Sequence, residues 1–99
     1  MKIDFEELKN KLLSLTGKDF IEVEKEVRST GDIMPMITFS TGFQVRLAAR
    51  ALKVNPRELE DLPLNQYSRI ASTVSNFIFS SESEQEGTEE PSQKTPSEK

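Results

Sequence analysis

The sequence predicts an all-α protein, a small bundle of about four to five helices with a disordered acidic C-terminal tail. Apolar residues recur every three or four positions in several segments, a spacing typical of amphipathic helices. Residues that cap helices precede most of these segments. Residues 80–99 offer no apolar side chain for burial, so they cannot offset the entropy lost on ordering. We therefore expect a helical domain at 1–79 and a disordered acidic tail at 80–99.

Two amphipathic helices are predicted before Gly31. Asp4 can cap the first, over Met1–Ser14, for which a fraying terminal segment is the alternative. Thr16 and Asp19 fit a capping box for the second helix, which ends before Gly31.

The second helix carries an acidic face. Its glutamates, Glu22, Glu24 and Glu26, have a spacing of two that scatters them around the helix, which favours a solvated face over a cation site. The spacing of four predicts ion pairs between Lys18 and Glu22 and between Glu24 and Arg28.

Residues 31–39 are apolar, but Pro35 forbids a continuous helix, which predicts an extended connection. Two interpretations stay open: an adaptable contact surface for a partner, or a lid packed over the core of the same domain. Exposed apolar side chains in this segment would be Ile33, Met34, Met36 and Phe39.

The segment 40–53 is predicted to form the central helix, because its apolar residues cover most of the helix circumference. Either Ser40 or Thr41 caps it, and Thr41 with Gln44 fits a capping box. This helix should be covered on several sides by its neighbours. Its narrow basic edge must reach water or an acidic partner, and consists of Arg46, Arg50 and Lys53.

Two more helices follow. A short one starts with Asn55 as cap and Pro56 in the first position, and ends near residues 61–63. The last, Leu64–Phe79, has an apolar stripe about 140° wide that includes Leu64, the width of a core-facing stripe. Phe79 lies off that stripe, so it is a candidate contact to another subunit, with fraying as the alternative.

Composition excludes several functions. The chain has no cysteine and no histidine, which excludes disulfides, thiol catalysis, histidine metal sites and a Ser–His–Asp triad. No nucleophile–base pair or glycine-rich phosphate loop is evident, so we expect no enzyme, no cofactor and no metal. Residues 1–79 hold eleven acidic and eleven basic side chains, which argues against binding nucleic acid or an anionic membrane. With no apolar run of membrane-spanning length and no signal peptide, we expect a cytosolic protein.

A helix-turn-helix DNA-binding regulator is the alternative function, with residues 47–61 as the motif and Arg57 entering the major groove. The supposed reading helix carries Glu58, Glu60 and Asp61 against one arginine. Carboxylates would be pressed onto phosphates, so the charge pattern disfavours this alternative.

The order of motifs between Leu15 and Phe79 resembles the tail assembly chaperones of tailed phages and prophages. These motifs are LTGKDF at 15–20 before the acidic helix, LAARAL at 47–52, LEDLP at 59–63, then Tyr67 and VSNFI at 74–78. Gln66 departs from the pattern, because an acidic residue is expected there.

The resemblance implies a protein that self-associates and coats the tape measure protein until tail tube subunits polymerise around it. It implies action in the host bacterial cytoplasm, absence from the mature virion, and a longer frameshift product that recruits the tail tube protein. Apart from the resemblance, charge and exposure select the expected contact residues, which are Met34, Met36, Phe39, Arg46, Arg50, Lys53 and Phe79.

Overall fold

The computed structural model describes residues 2–87 of the chain, and its side chains as far as Ser80. Helices account for nearly all regular structure in this part of the chain, and no strand occurs there. The predicted all-α class is confirmed. The elements are α1 (Phe5–Leu12), α2 (Gly17–Ser29), a 3-10 turn (Ile37–Phe39), α3 (Thr41–Leu52), α4 (Pro56–Glu60) and α5 (Leu64–Gly87).

Local capping explains where the first two helices begin. The Asp4 carboxylate accepts hydrogen bonds from the backbone N–H groups of Glu6 and Glu7 at 3.0 and 3.2 Å. The Asp19 carboxylate accepts one from the backbone N–H of Thr16 at 2.8 Å. These three bonds satisfy N–H groups that have no partner within the helix, so the predicted caps are confirmed, although the first helix begins at Phe5 and not at Met1.

The start of α3 corrects one detail of the sequence analysis. Ser40 is the cap, because its hydroxyl accepts the Phe43 N–H at 3.2 Å. The predicted capping box of Thr41 and Gln44 is wrong, since the Gln44 amide donates to the Thr38 carbonyl at 2.7 Å instead. This bond ties the 3-10 turn to α3.

The core is organised around α3, which packs against α1, α2, α4, α5 and the 3-10 turn. Phe43 and Ala48 are fully buried, and the small side chains of Ala48 and Ala49 let neighbouring helices approach closely. The prediction of a helix covered on several sides is confirmed. The prediction for Leu64 is wrong. It was expected on the core-facing stripe of α5 but is 81% exposed, because complete burial on this helix begins only at Ile70.

The backbone of α5 continues past Phe79, the predicted end, to Gly87. Glutamate is a good helix former, so a segment without apolar side chains can still extend an existing helix. The remainder of the predicted disordered tail, 88–99, lies outside the described residues. No helix in the described part of the chain combines the length and apolar character needed to cross a membrane.

Candidate interaction surface

The connection between α2 and α3 places several apolar side chains in water. We call residues 33–39 the apolar loop. Its exposed members are Ile33 at 88%, Met34 at 38%, Met36 at 58% and Phe39 at 56%. Scattered exposed apolar residues are ordinary, whereas several within one short segment make that segment a candidate interaction surface.

Of the two interpretations of this segment, the structure bears on one. Ile37 is 4% exposed and anchors the loop in the core, as a lid residue would. Met36 and Phe39, on either side of it, are exposed, and their contact with a partner stays a prediction. The expected extended connection is wrong for Ile37–Phe39, because the Ser40 N–H bonds to the Ile37 carbonyl at 2.9 Å and closes a 3-10 turn.

Phe79 extends the apolar loop onto α5. Its ring stacks on that of Phe39, with centroids 5.4 Å apart and planes 28° from parallel. Phe79 is partly buried by this contact. A predicted contact to another subunit would therefore involve the Phe39–Phe79 pair and not an isolated ring.

Polar bonds order the apolar loop. The Asp32 carboxylate accepts the Met34 N–H at 2.9 Å and the Ser40 hydroxyl at 2.5 Å. Arg28 on α2 donates to the Pro35 carbonyl at 3.5 Å. Sequence reasoning missed Asp32, although an aspartate bonding the N–H two residues later is a recognisable turn signal.

The basic edge of α3 meets α2 of the same chain. Arg50 Nε lies 2.6 Å from Asp19 Oδ1, and its guanidinium also bonds to Glu22. Arg46 lies 3.7 Å from Glu26. The acidic partner predicted for these arginines is therefore supplied internally, which removes the structural reason to assign them to a contact with another chain. Lys53 is exposed and ends α3 in the left-handed conformation, with φ of 61°.

The acidic face of α2 is a solvated face crossed by ion pairs. The predicted pair of Glu24 with Arg28 is confirmed at 2.9 Å. Glu22, predicted to pair with Lys18, contacts Arg50 on α3 instead. Within the described residues, no group of three acidic side chains is arranged to hold a metal ion.

Replacing Arg50 with Ala is expected to lower the unfolding temperature by a few degrees, because the change removes the cation that links α3 to two carboxylates on α2. The difference from wild type should shrink at high salt, since 38% of the Arg50 side chain is exposed. Thermal unfolding followed by circular dichroism measures both effects. Lys53→Ala is the control, and equal losses in the two variants would contradict the role of the ion pairs.

The lowered pKa values of two carboxyl groups predict that the fold loses stability in acid. The Thr16 N–H and then Arg50 hold the pKa of Asp19 below its ordinary value, and the Ser40 hydroxyl does the same to the pKa of Asp32. A carboxyl with a lower pKa in the folded state stabilises the fold above its unfolded pKa of about 3.9. That stabilisation is lost as the pH falls through the folded-state values.

We therefore expect the free energy of unfolding to fall between about pH 5 and pH 2. Variants Asp19→Asn and Asp32→Ala should be less stable than wild type at neutral pH, and the difference should shrink in acid. Urea unfolding at a series of pH values measures this. A constant difference across the series would show that these carboxyls do not carry the effect.

The helix-turn-helix alternative gains no support from the geometry. The second helix, α4, has five residues, about 7.5 Å of axis, and Leu59 anchors it in the core. Its exposed side chains include Arg57, Glu58 and Glu60, so the acidic excess expected from the sequence faces solvent. A gel shift with phage DNA tests this alternative directly.

A second surface, which sequence reasoning missed, is an open groove of about 1120 Å³ between α1 and α5. Arg69 lies across the ring of Phe5 there, with its guanidinium carbon 4.1 Å from the ring centroid. Leu13 lines the groove and is 70% exposed. The amphipathic pattern of α1 does not reveal the groove, since it predicts only which face of that helix turns inward.

Comparisons of the chain with protein-family models, with curated proteins and with solved structures found no match.

Proposed function

We propose that this chain is a tail assembly chaperone of a phage or prophage, which self-associates and coats the tape measure protein during tail morphogenesis. The role is binding and not catalysis. It operates in the host bacterial cytoplasm, and the protein is absent from the mature virion. A longer frameshift product carries the contact to the tail tube protein.

The observation that carries this proposal is the ordered apolar loop. A chaperone of this kind needs apolar surface beyond its own core, and Ile33, Met36 and Phe39 each expose more than half of their side-chain surface. Methionine is unbranched and flexible, so it can adapt to many apolar partner surfaces. The order of motifs between Leu15 and Phe79 supports the proposed family, and the exposure of the loop supports its proposed role as the contact.

The ion pairs of Arg46 and Arg50 limit which residues we assign to the proposed contact. Arg46 and Arg50 are engaged with α2, so burial of apolar surface, which depends little on salt, should dominate association. Lys53 remains a candidate contact residue, because its charged side chain is exposed. We accordingly place the contact on the apolar loop and the Phe39–Phe79 pair.

Replacing both Met34 and Met36 with Ser should weaken self-association about tenfold or more, because full burial of a methionine side chain contributes about 1.5–3 kcal/mol and these two are 38% and 58% exposed. It should also reduce the yield of soluble tape measure protein when the two proteins are expressed together. Sedimentation measures the first effect and the soluble fraction of the co-expressed protein measures the second. The partner to test is the tape measure protein, expected to be a very long helical protein encoded just downstream.

A matched control replaces Ile21 and Leu64 with Ser, because these residues are 54% and 81% exposed but lie on helices outside the loop. The control should retain both activities. Loss in the control equal to that in the loop variant would indicate non-specific stickiness. Unchanged behaviour of the loop variant would remove the loop from the proposed function.

A further inference from the structure

We infer that Asp32 is a positioning residue that holds the apolar loop in its binding conformation. This inference rests on the proposed function, because it takes the apolar loop as the contact surface. It assigns part of the affinity to a carboxylate whose bonds are all within the chain.

The side chain of Asp32 accepts hydrogen bonds near both ends of the apolar loop. Oδ1 of Asp32 accepts the backbone N–H of Met34 at 2.9 Å, where the loop begins. Oδ2 accepts the hydroxyl of Ser40 at 2.5 Å, just beyond the end of the loop. The two bonds hold the chain on either side of the exposed methionines at a fixed separation.

The Asp32 bond also connects the loop to the rigid core. The Ser40 hydroxyl donates its proton to Asp32 and uses a lone pair to accept the Phe43 N–H at 3.2 Å. Phe43 is fully buried in the first turn of α3. The conformation of the loop is thereby tied to the start of the central helix.

A third tether comes from α2. The guanidinium of Arg28 donates to the Pro35 carbonyl at 3.5 Å, while its Nε bonds to Glu24 at 2.9 Å. Arg28 also interacts electrostatically with Asp32. The backbone of the methionine-bearing segment is thus held between α2 and the start of α3.

The consequence for binding is pre-organisation. A loop ordered before contact loses little conformational entropy when a partner covers it, and that saving appears as affinity. Truncation of Asp32 to alanine changes none of the exposed apolar side chains of the loop. It should nevertheless weaken association, because the loop is then no longer ordered before contact. This outcome separates positioning from direct contact.

The experiment compares Asp32→Ala with Asp32→Asn and with the control Asp61→Ala. Asparagine can still accept from the Met34 N–H and donate to Ser40. Asp61 is an exposed aspartate after α4, for which the same substitution leaves the loop untouched. The probe for binding is a second copy of the full chain, with self-association measured by sedimentation. Amide hydrogen exchange at Met34 and Ser40 reports the order of the loop.

We expect Asp32→Ala to speed exchange at both amides and to weaken self-association about tenfold. Asp32→Asn and Asp61→Ala should remain close to wild type. Circular dichroism confirms that each variant keeps its helices. Should Asp32→Ala fail to fold, Asp32→Ser replaces it, and the same faster exchange and weaker self-association are expected.

Unchanged exchange in Asp32→Ala would overturn the inference, whatever happens to association. Faster exchange with unchanged association would also overturn it, while weaker association of the Met34 and Met36 double variant would leave the proposed function standing. If that double variant also associates normally, the proposed function fails and the inference fails with it.

Discussion

Phe43→Ala is expected to lower the free energy of unfolding by about 3–5 kcal/mol, a large share of the about 5–15 kcal/mol that such a domain has. Phe43 is fully buried in α3 and meets the ring of Phe20 on α2 edge-on, with centroids 4.8 Å apart. Truncation removes its buried surface and leaves a cavity between two helices. Urea unfolding followed by circular dichroism gives the difference.

The control is Leu64→Ala, because Leu64 is an apolar residue that is 81% exposed. Its free energy of unfolding should stay within about 0.5 kcal/mol of wild type, as for most surface substitutions. A small effect of Phe43→Ala would mean that neighbouring side chains close the cavity, and that α3 is packed less tightly than its burial indicates.

Ala48→Leu should destabilise the domain by about 1–3 kcal/mol or more. Ala48 is fully buried on the central helix, and leucine would add three carbon atoms there to an interior that in proteins is close-packed. The variant tests whether small side chains set the separation of the helices. The measurement is again the free energy of unfolding in urea.

Ser72→Leu is the matched control, since it places the same side chain on an exposed position of α5 beside the open groove between α1 and α5. Leucine is the better helix former, so this variant should be close to wild type in stability. If Ala48→Leu proves equally harmless, the core has a void at that site and the close approach of the helices has another cause.

The helix starts were predictable because capping depends on residues close in sequence. Asn55 illustrates this: its side chain accepts the Arg57 N–H at 2.9 Å, two residues away. Gln44 illustrates the limit. Its partner, the Thr38 carbonyl, reaches it only because a 3-10 turn forms between two helices, and no helical spacing encodes that turn.

The sequence was enough to predict that the candidate surface contains apolar residues, but not which of them are buried and which are exposed. The methionines flanking Pro35 indicated an apolar segment, while its division into a buried Ile37 and exposed neighbours depends on tertiary packing. The pairing of Arg50 joins residues 31 and 28 positions apart in the chain. Helical periodicity does not reveal such pairings, so the sequence predicted a basic edge that needs water or an acidic partner, but not that α2 supplies the partner.

Because all the other elements enclose α3, the structure predicts how the backbone amides of this helix exchange with solvent. No single neighbour can detach without wetting part of that helix, so the amide hydrogens of Ala48 and Ala49 should exchange with solvent only when the whole domain opens. Their exchange rates then report the global equilibrium between folded and unfolded chains. A partial bundle would leave apolar surface of α3 in water, so we expect two-state unfolding without a stable partial bundle.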